Sequence, residues 1–502
     1  MKNKLKFLVL IAAIEVSVVS STVFFTNNQS LLYRDAKSHL NIAKRVFASQ
    51  TPGLAQLGGV WLPMPHLLML PTVWNDEMYY SGLSGIIPSM IAFILLAMAI
   101  FSTVYFFTKD KIAGVIASSV ILSNPSLLYL QSTPMSELLL LCFSTLSLYF
   151  IIRWATERSF KDIILAALFI FLATLTRYDA WFLFVAEFAL VLILPFIKNK
   201  DKRKEGEATL FVFLGGFGIV LWLLYSKLIF GNFLNFALGQ GSGSYDTKRI
   251  TSAVNFSSVH NLPNAFLTYS WMTVDNIGIV ILVTALVAIF IFLLSTRNLA
   301  KILCGLIFLS PFVFNILALY LGQSVALSNH LYPYITYNLR YGVGMIPVAA
   351  FFLGFLASKG RVAKGIIVAL IIFQAFLFYT KPFAIIADAK TGEDIGEQKV
   401  SLWILENPTS GNTLLSTLAH DPLLFQSHIS MNKVIYEGNQ KLWSTALSYP
   451  EYYATRVVFK VDDTVNDAVR KRLYNTSTLK NNFIKVYDVD GYEVYDKKNL
   501  NN

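Results

Sequence analysis

Apolar residues in this chain are gathered into blocks long enough to cross a lipid bilayer, and that pattern constrains the fold more than any motif does. The blocks fall at 7–25, 82–107, 112–130, 137–152, 160–176, 180–197, 209–230, 277–294, 302–321, 342–357 and 366–380. A hydrocarbon core about 30 Å thick takes roughly 20 helical residues to span. The expectation is therefore a polytopic α-helical membrane protein with about eleven transmembrane helices. Charge content agrees: 14% of the 502 residues are charged, against about 25% in soluble proteins. The first block follows Lys2, Lys4 and Lys6 and contains Glu15. It is long enough to span and has no convincing cleavage site after it, so it reads as an uncleaved first helix.

The net charge of +11 does not point to nucleic acid, because before the C-terminal region the basic residues sit mostly in short segments flanking apolar blocks. With the N-terminus in the cytoplasm, the inside segments hold 18 Lys and Arg in 44 residues, and the outside segments before the C-terminal region about 8 in roughly 142. That asymmetry orients the chain in the cell membrane and places everything after Lys381 outside. The long connections, 26–80, 231–276 and 322–341, are also outside, so the working face is extracytoplasmic. Residues 1–381 read as the membrane domain and 382–502 as a small soluble α/β domain. In the latter, 456–461 reads as a strand and 464–474 as an amphipathic helix. The segments 483–489 and 492–496 read as a hairpin around Asp490-Gly491. No internal repeat is visible, which weighs against an inverted-repeat transporter.

Five patches could carry chemistry. The stretch Tyr33-Arg34-Asp35-Ala36-Lys37-Ser38-His39 opens an amphipathic helix, with Leu40, Ala43 and Phe47 on one face and Lys37, Asn41, Lys44 and Arg45 on another. Such a helix suits the outer membrane surface. Asp35 stands where it either caps this helix or acts as a general base. In Trp61-Leu62-Pro63-Met64-Pro65-His66, two prolines forbid a regular helix, and His66 is either structural or a ligand. In Ser132-Thr133-Pro134-Met135-Ser136-Glu137, Thr133 reads as an N-cap, Pro134 as the first helical residue and Glu137 as a first-turn acid. Glu137 lies on the same side as Asp35, and the two could work together. Arg177 is either a snorkelling arginine paired with Asp179 or a fork for phosphate. Arg340, followed by Tyr341, is the one basic residue in its outside loop and runs directly into a late span.

Cys142 and Cys304 lie inside apolar spans and suggest neither disulfide nor zinc site. Sequons at Asn28, Asn255 and Asn475 all fall outside. There is no Walker A motif, Rossmann fingerprint or HExxH, so nucleotide-driven chemistry is not expected.

The order of these patches resembles the GT-C membrane glycosyltransferases that use polyprenyl-phosphate sugars, in particular the group of protein O-mannosyltransferases, aminoarabinose transferases and Rgt-like sugar transferases. The resemblance spans the whole chain in architecture and short patches in residues. Asp35 matches the family's first-loop catalytic Asp, but Ala36 stands where many relatives carry Glu. The Trp61–His66 patch resembles a substrate-lining segment in which His39 would also take part, and Glu137 matches a second acid. Arg340-Tyr341 with Pro347 is similar to the family's Arg-Tyr-x-x-Pro-like start of a late span. The resemblance implies catalytic Asp35 and Glu137, with His39, Trp61, His66, Arg177, Asp179, Arg340 and Tyr341 binding substrate. It implies transfer of a sugar from a polyprenyl-phosphate donor to a glycan, lipid or protein acceptor, with inversion. No cofactor is certain; a divalent metal is left open. A transporter or flippase for a lipid-linked or polar substrate is the alternative.

Overall fold

The computed structural model describes residues 4–197, 204–239, 242, 244–245, 247, 258–331, 336–462 and 466–498. The basic stretch 198–203, the sequon at Asn255 and the start of the helix expected from Thr464 lie outside the described residues. The chain forms two compact units. One comprises Met1–Leu32, Gly59–Pro65 and Ile86–Thr391, the other Tyr33–Gly58, His66–Gly85 and Gly392–Asn502. The break expected after 381 therefore falls at Thr391, and two parts of the first long loop belong with the C-terminal residues.

The first unit is a multi-pass membrane domain. Seven helices among the described residues are long and apolar enough to cross a bilayer, or eight if a bent pair counts as one span. Its helices expose large apolar side chains such as Phe213, Leu228, Phe290 and Phe376, a surface suited to lipid rather than water. The count by this measure stays below eleven because some apolar blocks are broken or short. Block 112–130 divides into Lys111–Leu122 and Pro125–Leu130. Asn124 caps the second piece by accepting from the Leu127 N–H at 3.0 Å, and Pro125 takes the N-terminal position that needs no N–H. Block 160–176 yields the helix Phe160–Thr174, 15 residues long.

The bent pair is Leu262–Ile277 with Ile279–Ser295, at 111°. The first of these helices falls in what reads as an outer loop. Gly278 makes the bend at φ +83°, and a Cβ there would lie 2.0 Å from the Gln374 side chain. Gln374 in turn accepts from the Val280 N–H at 3.1 Å, satisfying backbone freed by the bend. Glu187 is buried and accepts from the Ser147 hydroxyl at 2.8 Å, whereas Glu15 is exposed on its helix. Cys142 and Cys304 are both buried and unbridged.

The second unit carries a five-stranded sheet in the order β2-β1-β3-β5-β4, with β1 Thr413–Leu415, β2 Val434–Ile435, β3 Arg456–Lys460, β4 Phe483–Val489 and β5 Tyr492–Lys497. The strands β2, β1 and β3 are parallel; β5 runs antiparallel to both β3 and β4. The hairpin turns on Asp490 (φ 47°) and Gly491 (φ 80°), two left-handed residues as a type I′ turn requires. Leu414, Ile435, Val457, Phe459 and Phe483 form the core under it. The helix expected over 464–474 is shorter, Ala468–Leu473, and opens on Asp467, which accepts from the Val469 and Arg470 N–H groups.

The helix over the first loop runs Arg34–Ala48, and its polar face is buried rather than laid along a membrane. Arg34 pairs with Glu397, Lys44 with Asp76 at 2.6 Å, Arg45 with Asp421 at 3.6 Å, and Asn41 donates to the Asp421 carbonyl at 2.8 Å. Long polar side chains with partners can be buried where solvated ones would not be. This covering of the polar face is what ties the first loop to the C-terminal residues.

Asp394 shows how the second unit is held. Its carboxylate caps the helix Ile395–Glu406 by accepting from the Glu397 N–H (3.2 Å), and also takes Lys460 Nζ (2.7 Å) and the Tyr492 hydroxyl (3.1 Å). Burial raises its pKa, but Lys460 and the Glu397 N–H outweigh burial and hold it below the usual carboxylate value. Its contribution is thus full above the unfolded carboxylate value and lost as pH falls through the lower folded one. Asp394→Ala is expected to destabilise this unit by about 1–3 kcal/mol at neutral pH. Hydrogen exchange over 395–406 in the full-length protein checks this; unchanged protection would refute it.

Candidate functional site

In the membrane unit, three distant segments meet at Glu137. Glu137 is the first residue of the helix Glu137–Glu157. The N-cap is Ser136, with no side-chain cap, and Thr133 and Pro134 lie in the preceding turn. The helix start expected at Thr133 is therefore displaced by three residues. Arg177 sits in the short turn between Phe160–Thr174 and Asp179–Ile197, where its N–H bonds to the Ala173 carbonyl at 3.2 Å. Arg340 belongs to a 3₁₀ turn, Leu339–Met345, that leads straight into the helix Ile346–Ala357. That turn is pressed against the Leu262–Ile277 helix. Asn276 donates to the Leu339 carbonyl at 2.8 Å, and a Cβ on Gly342 would fall 2.4 Å from the Met272 carbonyl. Only glycine permits this approach, and the approach sets where Arg340 points.

The outcome is a buried ionic cluster. Glu137 Oε1 lies 3.1 Å from both Arg177 Nη1 and Arg340 Nε. Arg177 Nε is 3.5 Å from Asp179, and its Nη1 is 3.4 Å from the Ser136 hydroxyl. Both guanidiniums lie over the Tyr341 ring, at 5.1 and 5.5 Å from its centroid. Glu137 and Arg340 are buried, and Glu137 Oε2 has no hydrogen-bond partner among the described residues. Arg177 is one-fifth exposed, and its Nη2 has no partner among the described residues. Asp179 also lines a mostly aliphatic cavity with Leu140, Leu148, Leu183, Phe308 and Val348. Asp179 is the one ionisable residue on the wall of this cavity, and it links the cavity to the cluster through Arg177.

Trp61 is half-buried in the same unit, on a segment held to the turn that carries Arg177. The Met64 N–H donates to the Leu175 carbonyl at 2.9 Å and the Tyr178 hydroxyl to the Val60 carbonyl at 2.6 Å. The prolines here do not forbid a helix as expected: Met64–Val73 is helical, with Pro65 in its first turn, where a missing N–H costs nothing.

The other candidates lie in the second unit. Asp35 is not the N-cap of its helix. Tyr33 is, without a side-chain bond, and Asp35 is half-buried in the first turn. The capping role is therefore unfilled by Asp35, while a first-turn carboxylate still complements the open backbone N–H groups. His39 Nδ1 and His66 Nε2 are 2.8 Å apart, and both rings are buried. Sequence reasoning missed the residues beside them. Asn41 receives the Tyr79 hydroxyl, and Asp421 faces Arg45. Burial raises the pKa of both Tyr79 and Asp421. No local pattern marks these, since the partners come from separate segments.

Burial, then the neighbouring His39 and Arg45, hold the His66 pKa well below the usual histidine value. The unfolded chain takes up this proton first, near pH 6.5. Stability supplied by His66 is thus full above that value and is lost as pH falls toward the folded pKa. Thermal unfolding at pH 7.5 and 5 is expected to show a marked loss, reduced in His66→Asn; an equal slope in the variant would refute this.

Among the described residues, no three His, Cys, Asp or Glu side chains converge as a metal cage. The metal left open from the sequence finds no ligand set among these residues.

Residues 79–225 match the family described as dolichyl-phosphate-mannose-protein mannosyltransferase. No curated protein matches the chain. Among solved structures, the Archaeoglobus fulgidus oligosaccharyltransferase, in a complex with zinc and sulfate, aligns at 12% identity and a TM-score of 0.51, covering 90% of this chain and 68% of that one. The archaeal oligosaccharyltransferase AglB from Archaeoglobus fulgidus, in complex with an inhibitory peptide and a dolichol phosphate, aligns at 13% identity and a TM-score of 0.50, covering 100% and 75%. ArnT from Cupriavidus metallidurans in the apo state aligns at 14% identity and a TM-score of 0.50, covering 96% and 97%. At these identities the structures share the fold. The shared fold and the family match together point to the GT-C superfamily of polyprenyl-phosphate-dependent glycosyltransferases.

Proposed function

We propose that the protein transfers a sugar from a polyprenyl-phosphate donor to an acceptor hydroxyl on the extracytoplasmic side of the membrane. The observation that carries this is the meeting of Arg177 and Arg340 on Glu137, with Asp179 linking Arg177 to the wall of an apolar cavity. A phosphate suits the open Nη2 of Arg177, and Leu140, Leu148, Leu183 and Val348 beside Asp179 offer aliphatic surface to the start of an isoprenoid chain. Arg340 and Glu137 position that fork. Glu137, bound by both arginines, serves as their counter-ion and holds the geometry, rather than working beside Asp35 as a second acid. Tyr341 and Asp179 brace Arg177, and Trp61, His39 and His66 belong to the substrate-facing segments.

In the reaction, the acceptor oxygen attacks the anomeric carbon as the bond from that carbon to the phosphate oxygen breaks. The bonding pair leaves with the phosphate, whose growing charge the guanidinium stabilises. The acceptor proton passes to Asp35. One displacement inverts the anomeric centre. The structurally similar AglB was solved with a dolichol phosphate, which supports this reading.

The bend at Gly278 favours a second reading, because broken helices also line transporter sites. Purified protein in nanodiscs, given a panel of polyprenyl-phosphate sugars and a membrane extract as acceptor source, separates the two. Mass spectrometry is expected to find free polyprenyl phosphate and a new glycosylated product. Passage of substrate across proteoliposomes with no covalent product would overturn the transferase reading.

A further inference from the structure

The second unit holds a cavity of about 240 Å³, a little below the size of drug-sized sites and enough for one small ring. It opens between the end of the Ile395–Glu406 helix, the first residues of β1 and β3, and the loop after the Thr417–Gln426 helix. Its wall carries four hydroxyl residues, Thr409, Thr413, Ser427 and Ser430, and two cations, Lys433 and Arg456, with no carboxylate. Arg456 is matched by Asp496 at 2.7 and 2.9 Å. Lys433 is exposed and makes no ion pair among the described residues, so it supplies the unmatched charge.

Two of the hydroxyls are the second observation. Thr413 and Ser427 are buried, and neither hydroxyl has a hydrogen-bond partner among the described residues. Polar groups left so are exceptions that ask for a ligand or water. Ile404, Leu405 and Ile429 supply an apolar side, and His428 at the rim is stacked on Tyr80 at 3.9 Å. Hydroxyl groups, an apolar face and one free cation suit a hydroxyl-rich ring with a C–H face and a negative substituent.

We propose that this cavity binds an anionic saccharide, a sugar carrying a phosphate or a carboxylate. Its role, holding a non-reacting unit of the acceptor, rests on the transferase reading; the binding itself does not.

Calorimetry on full-length protein in nanodiscs tests this with glucose 6-phosphate and glucuronate, and with glucose and inorganic phosphate as controls. Both acidic sugars are expected to bind, glucose at least about tenfold more weakly. Lys433→Ala is expected to weaken the acidic sugars by about tenfold without moving the melting temperature, since this side chain has no partner to lose. Equal binding of glucose, no effect of Lys433→Ala, or no binding of any probe would overturn the proposal. Inorganic phosphate binding as tightly as the sugar phosphate would reduce the site to an anion hole and overturn the saccharide. The calorimetry needs no turnover, so binding without lipid-phosphate release would count against the transferase reading alone.

Discussion

Asp35→Asn is expected to cut sugar transfer by roughly 10²- to 10⁴-fold, the usual contribution of a positioned general base. The exchange keeps the size and shape of the side chain and removes its negative charge, and with it the capacity to accept a proton. Asp35 is not the helix cap, a place taken by Tyr33, so the exchange leaves the start of Arg34–Ala48 intact. The pairs that bury this helix, Arg34 with Glu397 and Arg45 with Asp421, do not involve it. The loss should appear in kcat with donor KM near wild type, and thermal unfolding of the variant separates it from any loss of fold. Asp35→Glu, which retains a base at the wrong reach, should recover part of the rate. The readout is polyprenyl phosphate released per minute from a lipid-linked sugar, followed by mass spectrometry. Full activity in Asp35→Asn would remove this residue from the reaction and leave the acceptor proton to another group.

The parts of this protein legible in its sequence are those written locally. Apolar blocks announced the membrane unit, and Asp490-Gly491 between alternating strands announced the hairpin that β4 and β5 form. The strand at Arg456–Lys460 was equally plain. Strands β1 and β2, of three and two residues, are too short to show a period, and their pairing depends on β3 beside them. The Arg34–Ala48 helix was read as two-faced, correctly, but its polar face meets Glu397, Asp421 and Asp76 rather than water. Hydrophobic periodicity distinguishes polar from apolar and is silent about which polar faces find partners. The Arg177–Asp179 contact was legible because the residues are two apart. The meeting of Arg177 and Arg340 on one oxygen of Glu137 was not. It joins three segments far apart in the chain, and no spacing rule connects them. Each of the three residues drew attention as a charge near the end of an apolar block, which marked the members and left the cluster unseen.

Arg177→Ala is expected to lower kcat/KM for lipid-phosphate release by about 10²- to 10³-fold, as removing one preorganised donor to a developing negative charge does elsewhere. The guanidinium has five N–H donors. Here Glu137, Asp179 and Ser136 engage Nη1 and Nε, and Nη2 remains for the phosphate. Without Arg177, Glu137 still has Arg340 at 3.1 Å, so no buried carboxylate is stranded and the fold should persist. Glu137→Ala differs in this respect. It removes the carboxylate that Arg177 and Arg340 share, and should lower stability and activity together. Arg177→Lys should not rescue, because an ammonium cannot hold Glu137 and a phosphate in one planar fork. Two measurements separate binding from folding: native mass spectrometry of retained polyprenyl phosphate, and thermal unfolding of each variant. If Arg177→Ala unfolds like wild type yet keeps both its lipid phosphate and its rate, the phosphate binds elsewhere and the cluster is a structural tie between three helices. If lipid phosphate and rate fall together while the melting temperature holds, the fork at Arg177 is the donor's phosphate site.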